Sequence, residues 1–159
     1  MPNNIHITCD TIPTAEAGPL ILRMEPEVGI LSLHIGALGP CPKGINIDGM
    51  IMFDMQNDGG VDQIEIMYRL RNSIKSGTVF PSPHERYRRL RLSSDTSHFI
   101  GGVEVTEGTQ GIEFRFAEGQ ADETCFVGPC TKALIYKRRL IGLSLDYSNI
   151  SLARPRIAI

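Results

Sequence analysis

Short apolar runs recur along the chain, and within most of them apolar and polar residues alternate with a period of two. Gly, Pro, Asn and Asp separate these runs, while the 3.6-residue repeat of an amphipathic helix is scarce. This alternation is typical of half-buried strands bounded by turns. The pattern predicts strands at 5–9, 20–24, 30–35, 45–53, 61–68, 99–105, 112–116, 133–136 and 140–146.

The turn chemistry between two of these runs predicts a hairpin. The Asn-Asp-Gly-Gly sequence at 57–60 consists of residues that tolerate positive φ, and apolar runs lie on both sides of it. Such residues are the usual connection between antiparallel strands. We therefore expect 50–55 to pair with 61–68. The expected fold is mainly β, all-β or α+β, with curved antiparallel sheets and at most one or two short helices.

One segment departs from the β pattern. The Ser-Pro-His-Glu sequence at 82–85 has a hydroxyl N-cap, a Pro at the first helical position and a Glu three residues after the cap. This is the capping-box arrangement, and it predicts a short helix over 83–91. Three arginines, Arg86, Arg88 and Arg89, lie near the start of that helix, where the macrodipole disfavours cations. A basic edge strand is therefore the alternative.

The chain also contains a weak internal repeat. Residues 28–68 and 111–148 both start with a Gly-Ile strand and end in a second alternating apolar run. The starts, at positions 29 and 111, lie 82 residues apart, and the ends, at 66 and 145, lie 79 residues apart. Near-equal offsets favour two related β units. We expect a single domain, 1–159, with a basic insertion, 69–94, between the two units.

The second repeat carries a resemblance to a known family. Its matching residues are the strand 112–116, the Glu-Thr pair at 123–124 and the segment 140–148. On these residues the chain resembles a small bacterial domain family of unknown function, whose pattern runs LYI-x-L, then ET, then GxIVGIEILDAS. Residues 28–68 resemble it more faintly. The resemblance implies a β-rich fold and brings no catalytic residues.

Composition limits the remaining classes of protein. A chain of 159 residues that is 42% hydrophobic can bury a core without disulfides or a metal, so its four Cys are expected to be free thiols. Cys125 and Cys130 form a C-x4-C pair, but no second pair completes a zinc site, and we expect no cofactor. The N-terminal residues lack a signal-peptide pattern, and no apolar run approaches the length of a membrane span. The sequence therefore favours a cytoplasmic protein.

One acidic segment nearly fits a twelve-residue calcium loop. Asp54, Gln56, Asp58, Asp62 and Glu65 fall at its first, third, fifth, ninth and twelfth positions, with Gly at the sixth. Gln at the third position departs from the expected Asp or Asn. The preceding residues have the alternation of a strand, whereas a calcium loop of this type requires flanking helices. An acidic hairpin turn is the competing interpretation.

The basic residues are concentrated in one part of the sequence. Residues 67–94 contain seven basic side chains and one acidic side chain, in a chain with a net charge of −2. Such a segment can attract an anionic partner, and the overall acidity argues against nucleic acid. Arg and Tyr are common at binding hot spots. The expected anchors are Arg86, Tyr87, Arg88, Arg89 and Arg91.

The expected function depends on what the sequence lacks. It contains no nucleophile elbow, zinc-protease helix, phosphate-binding loop or dinucleotide fingerprint. We therefore favour a non-enzymatic protein-binding module, an antitoxin or immunity protein that neutralises a partner with an acidic surface. The alternatives are a calcium-binding module and a small ligand-binding or enzymatic β domain. A homodimer through an open strand edge also remains an alternative.

Overall fold

The computed structural model describes residues 5–13, 20–36, 41–70 and 76–147, and within these ranges the chain is all β. Arg71 and Lys75 of the basic insertion, and the end of the second repeat at Ser148, lie outside them. The mainly β prediction is confirmed. The strands are β1 (Thr8–Pro13), β2 (Ile21–Glu25), β3 (Ile30–His34), β4 (Lys43–Ile47), β5 (Ile51–Met55), β6 (Val61–Met67), β7 (Gly77–Val79), β8 (Arg88–Ser93), β9 (His98–Phe99), β10 (Glu104–Glu107), β11 (Gly111–Arg115), β12 (Glu123–Gly128), β13 (Thr131–Tyr136) and β14 (Arg139–Asp146).

The strands form two seven-stranded sheets. The first has the order β10-β11-β14-β1-β8, and β12 and β13 join it through the pairing of β13 with β14. The second has the order β7-β2-β3-β6-β5-β4-β9. The described strands pair in antiparallel fashion except for the short parallel contact between β4 and β9, and an isolated parallel bridge joins Tyr87 to Phe126. Among the described residues, no helix is long and apolar enough to cross a membrane.

The two sheets pack face to face and share one hydrophobic core. Alternate residues of each strand point inward, so Phe53 of the second sheet and Phe114 of the first are both fully buried. Tyr68, which follows β6, meets the Phe114 ring edge-on with the ring centroids 5.6 Å apart. Period-two patterning is therefore what divides the chain between core and surface.

The two segments with internal similarity have the same strand order. Residues 28–68 form the strand order β3-β6-β5-β4, and residues 111–148 contribute the order β11-β14-β13-β12. In each unit the first strand in sequence lies next to the last strand, and the two middle strands follow. The core residues that face each other across the strands also correspond between the two units. Leu31 lies opposite Ile66 in the first unit, and Ile112 lies opposite Leu145 in the second.

Both units also have a β-bulge at the same point of the last hairpin. The predicted pairing of 50–55 with 61–68 is confirmed as β5 with β6, and its register shifts so that Asp62 has no opposite residue. The pairing of β13 with β14 shifts in the same way at Ile141. The two bulge residues differ in chemistry, because Ile141 is fully buried and apolar whereas Asp62 is 7% exposed and ionisable.

Two predicted strands are wrong because each contains a break. The run 45–53 is a hairpin, since Asp48 and Gly49 adopt φ of 54° and 66° and reverse the chain between β4 and β5. The Asn46 side chain accepts a hydrogen bond from the Gly49 N–H at 2.8 Å and closes that turn. The run 99–105 is divided by two glycines with positive φ, so β9 and β10 belong to different sheets.

The predicted helix over 83–91 is also wrong. The cap forms locally, since the Ser82 hydroxyl accepts the His84 N–H at 3.2 Å and the Ser82 carbonyl accepts the Glu85 N–H at 3.3 Å. The chain then extends as β8, because Leu90 and Leu92 alternate into the core. The alternative of a basic edge strand is correct, because β8 ends the strand order of the first sheet. The sequence pattern missed β7 and β12, which lack clear alternation.

Candidate functional site

The arginines of β8 point to opposite faces of their strand. Arg88 shares a face with the core residues Leu90 and Leu92, whereas Arg89 and Arg91 lie on the other face. The Arg88 guanidinium donates to the Thr11 carbonyl at 3.0 Å and to its hydroxyl at 3.2 Å. Arg88 therefore holds β8 against β1, and its charged head is engaged within the sheet.

Arg89 belongs to a buried ion pair. Its guanidinium contacts the Asp62 carboxylate, and its Nε donates to the Val61 carbonyl at 3.2 Å. The Gln56 amide also donates to Asp62, and the Cys41 Sγ lies 3.8 Å from the same carboxylate. The side chains of Arg89 and Asp62 are 17% and 8% exposed. Arg89 therefore neutralises the polar bulge and does not present its charge to a partner.

Tyr87 is held in place by its neighbours. Its hydroxyl donates to the Glu85 carboxylate at 2.7 Å and accepts the Ser82 N–H at 2.8 Å, while its ring meets Phe126 edge-on at 6.4 Å. Burial, followed by the hydrogen bond to Glu85, raises the pKa of Tyr87 to about 12. Among the five expected anchors, only Arg86 and Arg91 are exposed, so the set does not form one continuous surface.

Asp10 joins Arg91 to a basic residue far away in the sequence. Asp10 lies opposite Arg91 in the pairing of β1 with β8, and their side chains form an ion pair of 3.0 Å. The second carboxylate oxygen of Asp10 lies 2.8 Å from Arg138, on the turn between β13 and β14. Hydrogen bonds from Arg138 and Arg91 hold the pKa of Asp10 below its ordinary value.

The turn between β13 and β14 adds further cations beside Arg91. Lys137 Nζ lies 5.2 Å from the centre of the Tyr136 ring, and the Arg139 guanidinium lies 6.0 Å from it. The register places Arg139 opposite Thr8 of β1, on the face of the sheet that carries Asp10. We call Arg91, Tyr136, Lys137, Arg138 and Arg139 the basic surface. Arg138 is 79% exposed and Arg91 is 44% exposed.

The backbone of this turn is unusual for the residues that form it. Lys137 and Arg138 adopt φ of 48° and 62°, the left-handed conformation that a two-residue hairpin turn requires. Asn-Gly is the sequence that usually satisfies this requirement, and a long side chain in this region costs free energy. The Lys137 N–H donates to the Asp122 carboxylate at 3.1 Å, which helps to hold the turn. Two long cations thus occupy positions where stability favours other residues.

The basic surface was difficult to predict from the sequence. The Lys-Arg-Arg run at 137–139 is visible between two apolar strands, but its proximity to Arg91 depends on β1, which pairs with both β8 and β14. Local periodicity carries no information about that pairing. The three-residue gap at 137–139 between apolar runs was the available signal, because a short gap of this kind predicts a hairpin, here with cations at its turn.

The residues of the acidic loop do not converge. Asp54 lies on β5 and Glu65 on β6, while Asp58 accepts the Gly60 N–H at 2.9 Å and closes its own turn. Asp62 and Gln56 belong to the ion-pair cluster of Arg89. Across the described ranges, no three His, Cys, Asp or Glu side chains come together in a way that could hold a metal ion. The acidic hairpin turn is what the chain forms at this point.

Burial lowers the reactivity of three cysteine thiols. Cys9, Cys125 and Cys130 are free thiols, and burial raises their pKa values to about 12, about 11 and about 11. A thiol reacts through its thiolate, so these residues behave as small apolar side chains at neutral pH.

Comparison of the chain with known protein families, with curated proteins and with solved structures found no match.

Proposed function

We propose that this protein is a non-enzymatic binding module that engages an acidic face of another protein through the basic surface. The sequence placed this role on β8, and the geometry favours the outer face of the first sheet. There Arg91 and Arg138 pair with the Asp10 carboxylate, and Lys137 and Arg139 lie beside the Tyr136 ring on the same turn. Tyr136 supplies apolar contact area beside them.

The turn between β13 and β14 is the observation that carries this proposal. Lys137 and Arg138 occupy a left-handed turn that stability alone would assign to Asn-Gly. Strained backbone positions persist where a function retains them. Exposed cations at a strained turn, where Asp10 holds Arg138, are suited to recognising carboxylates.

The energetic role of such a surface is to direct association. Exposed charges raise association rates and reject partners of like charge, while a central aromatic or Arg residue supplies most of the affinity. A standard interface covers about 800 Å² per partner, roughly a tenth of the 9194 Å² accessible surface of this chain. The more specific proposal is an antitoxin or immunity protein in the cytoplasm that covers an acidic partner.

Charge reversal tests the proposal with a defined probe. The variant Lys137→Glu/Arg138→Glu/Arg139→Glu is compared with a matched control, Arg23→Glu/Lys43→Glu/Arg69→Glu, which changes three exposed cations outside the basic surface. Isothermal titration calorimetry at low and high salt measures the affinity of each variant for poly-L-glutamate and for any protein captured from bacterial extract. We expect the reversal to weaken binding about 100-fold and the control less than about threefold.

Equal affinities for the two variants would contradict the proposal. Gel shifts with duplex DNA and with poly-U RNA distinguish the class of partner. If nucleic acid binds more tightly than the acidic protein and depends on the same three residues, the basic surface is a nucleic-acid site and the protein-binding proposal is wrong.

A further inference from the structure

A second feature, separate from the basic surface, is an open cleft where the two sheets meet at one edge. The start of β4, the turn between β5 and β6, the end of β8 and the segment 94–97 enclose about 520 Å³. A smaller depression of about 200 Å³ over β4 and β5 shares Gly44, Ile45 and Ser97 with it. The larger volume lies within the range of small-molecule sites. None of its lining residues belongs to the basic surface.

The lining of the cleft contains hydrogen-bonding groups of both kinds. Lys43 Nζ donates to the Asn57 carbonyl at 2.9 Å and retains further N–H groups that can donate to a ligand. The hydroxyls of Ser93, Thr96 and Ser97 make no hydrogen bond within the described residues, and a hydroxyl both donates and accepts. One acid, Asp58, balances the charge of Lys43, so the lining has no net charge.

The apolar part of the lining comes from the core. Ile45, Met55 and Leu92 reach the cleft while remaining at least 95% buried, so they form an aliphatic floor beneath the polar groups. This combination disfavours several ligand classes. An anion would meet a like charge at Asp58, a cation would meet a like charge at Lys43, and a purely apolar ligand would leave the polar groups without partners.

Gly44 lines both depressions. It lies within β4 and its φ is not in the left-handed region, so the backbone does not require glycine there. A Cβ at this position would make ordinary contact with the Phe53 carbonyl at 3.4 Å. A glycine within a strand costs stability and often marks a close approach by a ligand. Because Gly44 lines both depressions, a larger side chain at this position would extend into open space there.

We propose that this cleft binds a neutral saccharide, a mono- or disaccharide unit of a glycan. Each sugar hydroxyl donates and accepts, which matches the mixture of Lys43, Asp58 and the hydroxyls of Ser93, Thr96 and Ser97. The C–H face of the sugar ring packs on the aliphatic floor, and the balanced charge selects a ligand without net charge. This site is independent of the proposed protein-binding role.

A glycan array screened with labelled protein, followed by calorimetry and amide NMR with the best neutral disaccharide, tests the proposal. We expect a Kd of about 1 mM or tighter, with amide shifts confined to 42–59 and 92–97. Gly44→Val, which adds a side chain at a residue that lines both depressions, should weaken binding at least about tenfold, while Thr106→Val on the exposed strand β10 leaves it unchanged. Should Gly44→Val not fold, Ser97→Tyr narrows the same space at another lining residue.

Three results would overturn the saccharide site. The first is that no neutral glycan shifts these amides at about 10 mM. The second is full binding in the Gly44→Val or Ser97→Tyr variant. The third is that glucose 6-phosphate binds at least about tenfold more tightly than glucose. Poly-L-glutamate binding separates the two proposals. The filled-cleft variant should retain it, and the charge-reversal variant should retain saccharide binding.

Discussion

The buried ion pair between Asp62 and Arg89 yields the sharpest stability prediction. Asp62 occupies the bulge position that Ile141 fills in the other unit, so apolar packing is compatible with this geometry. Replacing Arg89 with Met removes the charged partner and leaves the carboxylate buried beside the neutral side chains of Gln56 and Cys41. An uncompensated buried charge is the costly outcome, rather than the loss of the pair itself.

The expected magnitude follows from that distinction. Arg89→Met alone should lower the free energy of unfolding by about 3 to 5 kcal/mol, as is typical when one partner of a buried pair is removed. For a domain of this length the melting temperature should fall by roughly 6 to 20 °C. The double variant Asp62→Ile/Arg89→Met, which places the bulge residue of the second unit at position 62, should lie within about 1 kcal/mol of the native protein or above it.

Urea unfolding followed by far-ultraviolet circular dichroism measures all three proteins, because the chain has no Trp to report by fluorescence. The coupling free energy between the two sites comes from the double-mutant cycle. A cost below about 1 kcal/mol for Arg89→Met, with an unchanged m-value, would refute the reasoning that this pair is buried and coupled. A double variant less stable than Arg89→Met would refute the equivalence of the two bulges.

Three further predictions follow. Changing Lys137-Arg138 to Asn-Gly should stabilise the protein by about 1 to 2 kcal/mol in urea unfolding while weakening poly-L-glutamate binding, and a loss of stability would contradict the strained turn. Burial lowers the pKa of His34, so stability should be constant above about pH 6.5 and fall as the pH drops below it; melting curves of His34→Gln should lose this slope. Cys9, with a pKa of about 12, should react with iodoacetamide only as fast as the protein unfolds, and rapid labelling of the native protein would show that it is accessible.

The sequence predicted those parts of the fold that local patterning controls. The Asn-Asp-Gly-Gly turn and the strand 112–116 were correct because turn residues and alternation act within a few positions. The Asp48-Gly49 turn was missed because it lies inside an apolar run that resembles one strand. The segment 82–91 satisfied helix-capping rules, but the burial of Leu90 and Leu92 against the core outweighed that local preference.

The candidate sites were harder to predict because distant pairings assemble them. The contact between Asp10 and Arg138 joins residues 128 positions apart, and no periodicity encodes it. Arg88 and Arg89 looked equivalent in the sequence, yet strand alternation sends them to opposite faces, and Arg89 meets Asp62 from another sheet. The composition of a basic segment therefore indicated that a charged surface exists without indicating which cations remain exposed.

The location of the partner is tested most directly by zero-length carbodiimide cross-linking of the complex, followed by mass spectrometry. This chemistry joins a lysine amine to a carboxylate in direct contact. Our account predicts that Lys137, on the basic surface, cross-links to Asp or Glu of the partner, whereas Lys43, which lines the cleft, does not. Cross-links concentrated at Lys43, with none at Lys137, would contradict it.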